Sequence, residues 1–431
     1  MHTTPPEPEQ HFDLGGDDAS LARMIEWSAR FGDIFRVYSP ARRAYIWVVN
    51  HPDDVKRVLV ANHRNYTKGI GLDRVKILLG NGIMTSEGEF WRRQRYMMQP
   101  FFHRRVLTRF ATTIAQANER LIERWTDAAQ RGVAVNVTEA VSELTLDIVL
   151  RAIFSDDLER LQRDLGDNPF ALVADESARD LRFAYRFRTL GKLVGELVRR
   201  RRSEAHERYD FLSMLMTARD KETGEAMNER ELIDETLTLI VAGHETTASA
   251  LNWTWYLLAQ HPNSERRLWE EVDAAPEWRA ASLSQLDALA WTRAVIDEAL
   301  RLYPPGWLLS RRAIGADVLG GYHLPAGTDV LLSPYLLHRH PRYWDEPDQF
   351  RPQRFRAAPA DQRPRFAYIP FAAGPRHCIG ETFAIYEMLM HLYLVGRRLR
   401  LRAEHASPIA FEAQVNLRTR HPLIMTPELR R

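Results

Sequence analysis

Cysteine is almost absent from this chain of 431 residues: Cys378 stands alone. No internal disulfide can form, which fits a reducing compartment. Long apolar runs are also missing from the opening residues. The first 20 residues are polar, carry three prolines and hold no apolar run near the ~20 residues that a membrane-spanning helix needs. A protein without a membrane anchor, in the cytoplasm, is therefore expected. Neither charge sign dominates, and a net charge of +2 gives no reason to expect a nucleic-acid partner. Lysine is scarce, the basic residues being nearly all arginine. The run Arg199-Arg200-Arg201-Arg202, with Glu204 and Glu207 close behind, reads as the solvated C-terminal end of a helix rather than a binding patch. No repeat, low-complexity linker or sharp composition shift marks a second domain, so residues 1–431 are read as one domain. What is present is ordinary for a large globular enzyme, with 45% hydrophobic and 27% charged residues.

Periodicity along the chain is mostly helical, and the expected class is mainly α with small β-sheets. Residues 34–38 and 45–49 are rich in β-formers and flank the short polar connection Ser39-Pro40-Ala41-Arg42, which predicts a hairpin. A second β-rich region spans 319–332, punctuated by Gly320-Gly321 and Pro325-Ala326-Gly327. The longest helical stretch, about 228–260, contains no proline. At 1.5 Å per residue it would run ~45 Å, enough to cross the core.

Chemistry concentrates around the lone cysteine, in Phe371-Ala372-Ala373-Gly374-Pro375-Arg376-His377-Cys378-Ile379-Gly380. Gly374 and Gly380 let backbone approach a flat macrocycle, and Pro375 stiffens the turn between them. N–H groups at the start of the following helix can point at the sulfur and favour its ionised form. Arg376 is placed to pair with a haem propionate. The spacing Phe-x-x-Gly-x-Arg-x-Cys-x-Gly resembles the haem-binding signature of the cytochrome P-450 family, which implies the cytochrome P-450 fold, haem b as cofactor and Cys378 as the iron ligand. Phe371, Arg376 and Gly380 would then border the haem.

Three further segments follow in the same order as in that family. Trp91 and Arg95 stand one helical turn apart, and by the resemblance both would reach haem propionates, as would Arg311. Within the long helix lies Ala242-Gly243-His244-Glu245-Thr246-Thr247-Ala248. Gly243 costs about 1 kcal/mol relative to alanine inside a helix, so it asks for a reason such as a close-packed ligand. Taken alone, Glu245 reads as a solvated or ion-paired residue and Thr246 as bonding the preceding turn. The resemblance implies instead an acid–alcohol pair that relays protons to bound dioxygen. A zinc-protease reading of His244-Glu245 fails, because the second histidine it needs is Ala248. Downstream, Glu298 and Arg301 are three apart and can pair on a helix. By the resemblance they would also bond Arg354, in a buried structural network.

These matches imply a monooxygenase that inserts one atom of dioxygen into a C–H bond while the other leaves as water. The stretch after Cys378 is too short for a flavin or iron–sulfur reductase, so electrons are expected from a separate ferredoxin or flavodoxin with its reductase. Arg92, Arg93, Arg104 and Arg105 are candidates for a basic docking face. Met84, Ala242, Leu308, Leu309 and Val415 are the implied lining of the substrate pocket, and their apolar character points to a hydrophobic small molecule, fatty acyl or terpenoid-like. The roof of that pocket should fall in 169–202, a segment that looks short and has no proline after Pro169. Two other classes share the ligand signature. A peroxide-using haem-thiolate enzyme would gain little from a redox partner, and a haem-binding gas sensor would leave substrates unchanged.

Overall fold

A computed structural model describes residues 4–165, 168–173, 181–204, 208–278, 283–356, 363–403 and 409–430. The predicted hairpin forms, Ile34–Ser39 pairing antiparallel with Ala44–Val49. It opens a five-stranded sheet that continues through Asp329–Leu332, Leu309–Ala313 and Tyr66–Lys68. In that register Lys68 stands opposite Arg311, although like charges facing each other across strands oppose pairing. Smaller sheets join Phe411–Ala413 to Leu417–Thr419 and Ile424–Leu429 to Leu399–Ala403.

The remainder is helical, and the helix Glu229–Gln260 runs through it. Its start is written in the sequence: Asn228 caps the Glu231 N–H while the Glu231 carboxylate accepts from the Asn228 N–H. This reciprocal box satisfies two N–H groups that a helix end leaves open. Beyond the first turns, Leu237, Leu251, Trp253 and Leu257 are buried, together with much of the rest of the helix, because neighbours surround it on several sides. The helix Val137–Phe154 presses against it where Gly243 lies, and a Cβ added there would come within 2.9 Å of Val149 Cγ2. Close helix packing therefore gives Gly243 a reason of its own.

The arginine run also differs from its reading. It ends the helix Leu181–Ser203, but Arg201 is buried and bridges Asp157 and Asp210, each at 2.7 Å. Only Arg199 and Arg202 of the four lie mostly in solvent, both near Glu229. The supposed roof segment falls partly outside the described residues. Among the described residues no helix is long and apolar enough to cross a membrane.

Candidate functional site

The loop carrying Cys378 is held by its own backbone. Cys378 N–H donates to the Phe371 carbonyl at 2.9 Å and His377 N–H to the Gly374 carbonyl at 3.0 Å. Ala372 and Gly374 take positive φ of 60° and 74°, and Pro375 opens the turn Gly374–Arg376. A Cβ at Gly374 would collide with the Leu59 carbonyl, so this glycine serves packing of the loop against residues 57–61. Gly380 is different: the nearest atom to an added Cβ is Cys378 Sγ itself, at 3.9 Å. Burial pushes the thiol up, while N–H groups of Gly380 and Glu381 and the Arg95 guanidinium pull the other way. As a residue Cys378 is nonetheless exposed, unlike an inert core cysteine.

Cations gather beside the loop. The Arg376 guanidinium lies 4.3 Å over the Trp91 ring, pairs with Glu87 and donates to the Ser86 carbonyl at 3.3 Å. Arg95 donates to the His377 carbonyl at 2.9 Å, one residue before Cys378. Arg311 is buried, and desolvation followed by repulsion from Arg376 lowers its pKa to about 10. Lys68, which the sequence reading passed over, is lowered to about 7 by burial, then by Arg376 and Arg311. Lys68, Arg311 and Arg376 thus gather about the Glu87 carboxylate, with Glu235 also near Lys68, and this crowd of partly desolvated cations leaves room for further anions. The two carboxylates of a haem suit that setting, and the donor set fits the group. The scarcity of lysine was the sole available signal for Lys68.

On the central helix the acid and the alcohol part company. Thr246 Oγ1 donates to the Ala242 carbonyl at 2.8 Å, the backbone bond that its sequence alone allowed. Glu245 Oε2 accepts from Asn416 Nδ2 at 2.9 Å. Consecutive helical residues point about 100° apart, so the two side chains address different faces rather than lying side by side. His244 Nε2 meets Ser142 Oγ at 2.9 Å.

The apolar pocket candidates fall into two groups. Met84, Ala242, Leu308 and Leu309 are half-buried. Met84 follows a loop pinned to the central helix by Asn81 N–H to Asp234 and Ile83 N–H to Glu235, at 2.7 and 2.9 Å. Val415 stands apart at the turn between Phe411–Ala413 and Leu417–Thr419, where it is 56% exposed and lines a cavity with Glu245.

Glu298 and Arg301 are fully buried and bond at 2.6 Å, and Arg354 Nε reaches Glu298 at 3.1 Å. Arg301 also donates to the carbonyls of His338, Pro347 and Gln349, tying the helix Ala290–Leu302 to the loop before Arg354. Of the docking candidates, Arg92, Arg104 and Arg105 are exposed. Arg93 is not part of that face: it pairs with Glu231 at 3.0 Å and donates to the Ala226 carbonyl, at the start of the central helix.

The cytochrome P450 family model matches residues 10–173 and 179–425 of this chain. The chain is 36% identical to cyclooctatin synthase of Streptomyces melanosporofaciens over 93% of its own length and 89% of that protein. It is 32% identical to cyclooctat-9-en-7-ol 5-monooxygenase of the same organism, over 90% and 87% of the two chains. The haem domain of cytochrome P450DA superposes with a TM-score of 0.86 at 24% identity, covering 99% of this chain and 98% of that one, which shows a common fold. With an exposed cysteine in a cationic setting, these likenesses lead to one conclusion: the chain belongs to the cytochrome P450 family and is a haem-iron monooxygenase.

Proposed function

We propose that Cys378 ligates the iron of haem b and that the enzyme oxygenates a terpenoid-like hydrophobic molecule. Cys378, an exposed residue whose sulfur receives N–H groups from Gly380 and Glu381, carries the reading. Bound there, haem iron would supply dioxygen activation, which a thiolate ligand would favour. Arg311, Arg376 and Lys68 would hold the propionates, with Trp91 stacked beneath Arg376 and Arg95 bracing the Cys378 loop. Glu245 supplies protons. Thr246, whose hydrogen is committed to Ala242, keeps lone pairs that can accept a hydrogen bond on its own face of the helix. Glu298, Arg301 and Arg354 act structurally. Met84, Ala242, Leu308, Leu309 and Val415 line the substrate side, and a relative named for oxygenating an alcohol of largely hydrocarbon character favours a terpenoid over a fatty acyl chain. Electrons come from a ferredoxin or flavodoxin with its reductase, in the cytoplasm.

The test is the absorption spectrum of the reduced, carbon monoxide-bound protein beside Cys378→Ser. A red-shifted Soret band that disappears in the variant is expected; a band unaffected by the substitution would remove the ligand and the proposal with it. Spin-state titration then separates substrate classes, with terpenoid alcohols expected to shift the spectrum and fatty acids to leave it unchanged.

A further inference from the structure

The cavity bordered by Thr138, Ser142, His244, Glu245, Asn252 and Asn416 is walled largely by polar side chains and lies between the central helix and a surface turn. One wall is the turn between the strands Phe411–Ala413 and Leu417–Thr419. Several bonds fix that turn. Gln414 N–H donates to the Asn416 carbonyl at 3.1 Å, and the Gln414 carbonyl accepts from Trp307 Nε1 at 2.8 Å. The Leu417 carbonyl accepts from Ser249 Oγ at 2.7 Å and Trp253 Nε1 at 3.1 Å, both on the central helix. Asn252 Nδ2 adds a bond to Thr419 Oγ1 at 3.0 Å. Asn416 therefore projects from a platform bolted to the helix that carries Glu245, and its Nδ2 meets Glu245 Oε2 at 2.9 Å. A glutamate has three side-chain torsions, and freezing them requires a partner that is itself immobile.

Resting on the reading of Glu245 as proton donor, we infer that Asn416 is its positioning residue, holding the carboxyl group in one rotamer at the edge of the polar cavity. The amide is neutral over the working pH range, so it fixes the carboxyl without a competing proton. Loss of this bond is expected to slow proton delivery about tenfold, equivalent to about 1.4 kcal/mol in the barrier. Dioxygen that has taken two electrons from the redox partner but is not cleaved in time leaves with two protons from solvent as hydrogen peroxide, and the peroxide share of the reductant consumed rises.

The experiment compares Asn416→Ala, Asn416→Asp, Glu245→Gln and the double variant Asn416→Ala/Glu245→Gln as haem-loaded enzymes, with carbon monoxide spectra confirming an intact haem site. The readouts are the peroxide share, the solvent isotope effect and the infrared carboxylate band assigned by its loss in Glu245→Gln. Asn416→Ala is expected to move that band and raise the peroxide share, Asn416→Asp to raise it further, and the double variant to match Glu245→Gln alone. If Glu245→Gln uncouples the enzyme while Asn416→Ala leaves band and peroxide share unchanged, this inference alone falls. Additive effects in the double variant overturn it as well. If Glu245→Gln changes nothing, the proton-donor reading fails and takes this inference with it.

Discussion

Lys68 shows how a residue with no motif acquires a task from its neighbours. It stands opposite Arg311 in the sheet and near Arg376, and desolvation brings its pKa to about 7, well below the ordinary 10.5. Without haem, folding must place this ammonium among like charges. Between pH 7 and 10.5 the unfolded chain binds the lysine proton and the folded chain releases it, so stability rises with pH across that window. Haem-free protein should therefore gain thermal stability relative to Lys68→Met as pH climbs through that range; a constant difference would refute the assignment. In the loaded protein the sign of the substitution reverses. Lys68→Met and Arg311→Met should each speed haem transfer to apomyoglobin about tenfold, the equivalent of one charge-assisted hydrogen bond.

Among the elements, the helix Ala290–Leu302 depends on a pair it cannot leave unmatched. Glu298 and Arg301 are both excluded from solvent, and Arg351 N–H, Arg354 and three backbone carbonyls complete their bonding. Removing the carboxylate by Glu298→Ala strands a buried guanidinium, at a cost of about 3–5 kcal/mol. Chemical denaturation should register that loss in full, whereas Arg354→Ala, which leaves the inner pair intact, should lose less. The central helix teaches a related lesson through Gly243. Its missing Cβ leaves room for Val149 of the helix alongside, a role invisible in the residues that flank it.

For the molecule as a whole, the proposed delivery of electrons by a separate partner makes exposed arginines the groups to test. Arg92, Arg104 and Arg105 reach the surface, and reversing these charges should slow reduction by an acidic partner about tenfold at low salt, with the difference fading as ionic strength rises. Arg93→Glu should behave differently, destabilising the start of the central helix opposite Glu231 without a salt-dependent rate effect. Stopped-flow reduction across a salt series distinguishes the two patterns. Equal salt dependence for both sets would contradict the placement.

Local features were legible in the amino-acid order because their causes are consecutive residues. The hairpin follows from two β-rich runs around a short connection, the start of the central helix from Asn228 and Glu231, and the N–H groups facing Cys378 from the turn into the helix Glu381–Gly396. The pairing of Glu298 with Arg301 was likewise within reach of helical spacing, while Arg354 entered only through family resemblance. Tertiary structure alone decided the rest. It set Lys68 against Arg311, Asn416 against Glu245, Arg201 between Asp157 and Asp210, and Arg93 away from the docking face. Each joins residues from separate elements, and a side chain carries no local preference that names a distant partner; the packing of helices and the register of strands choose it.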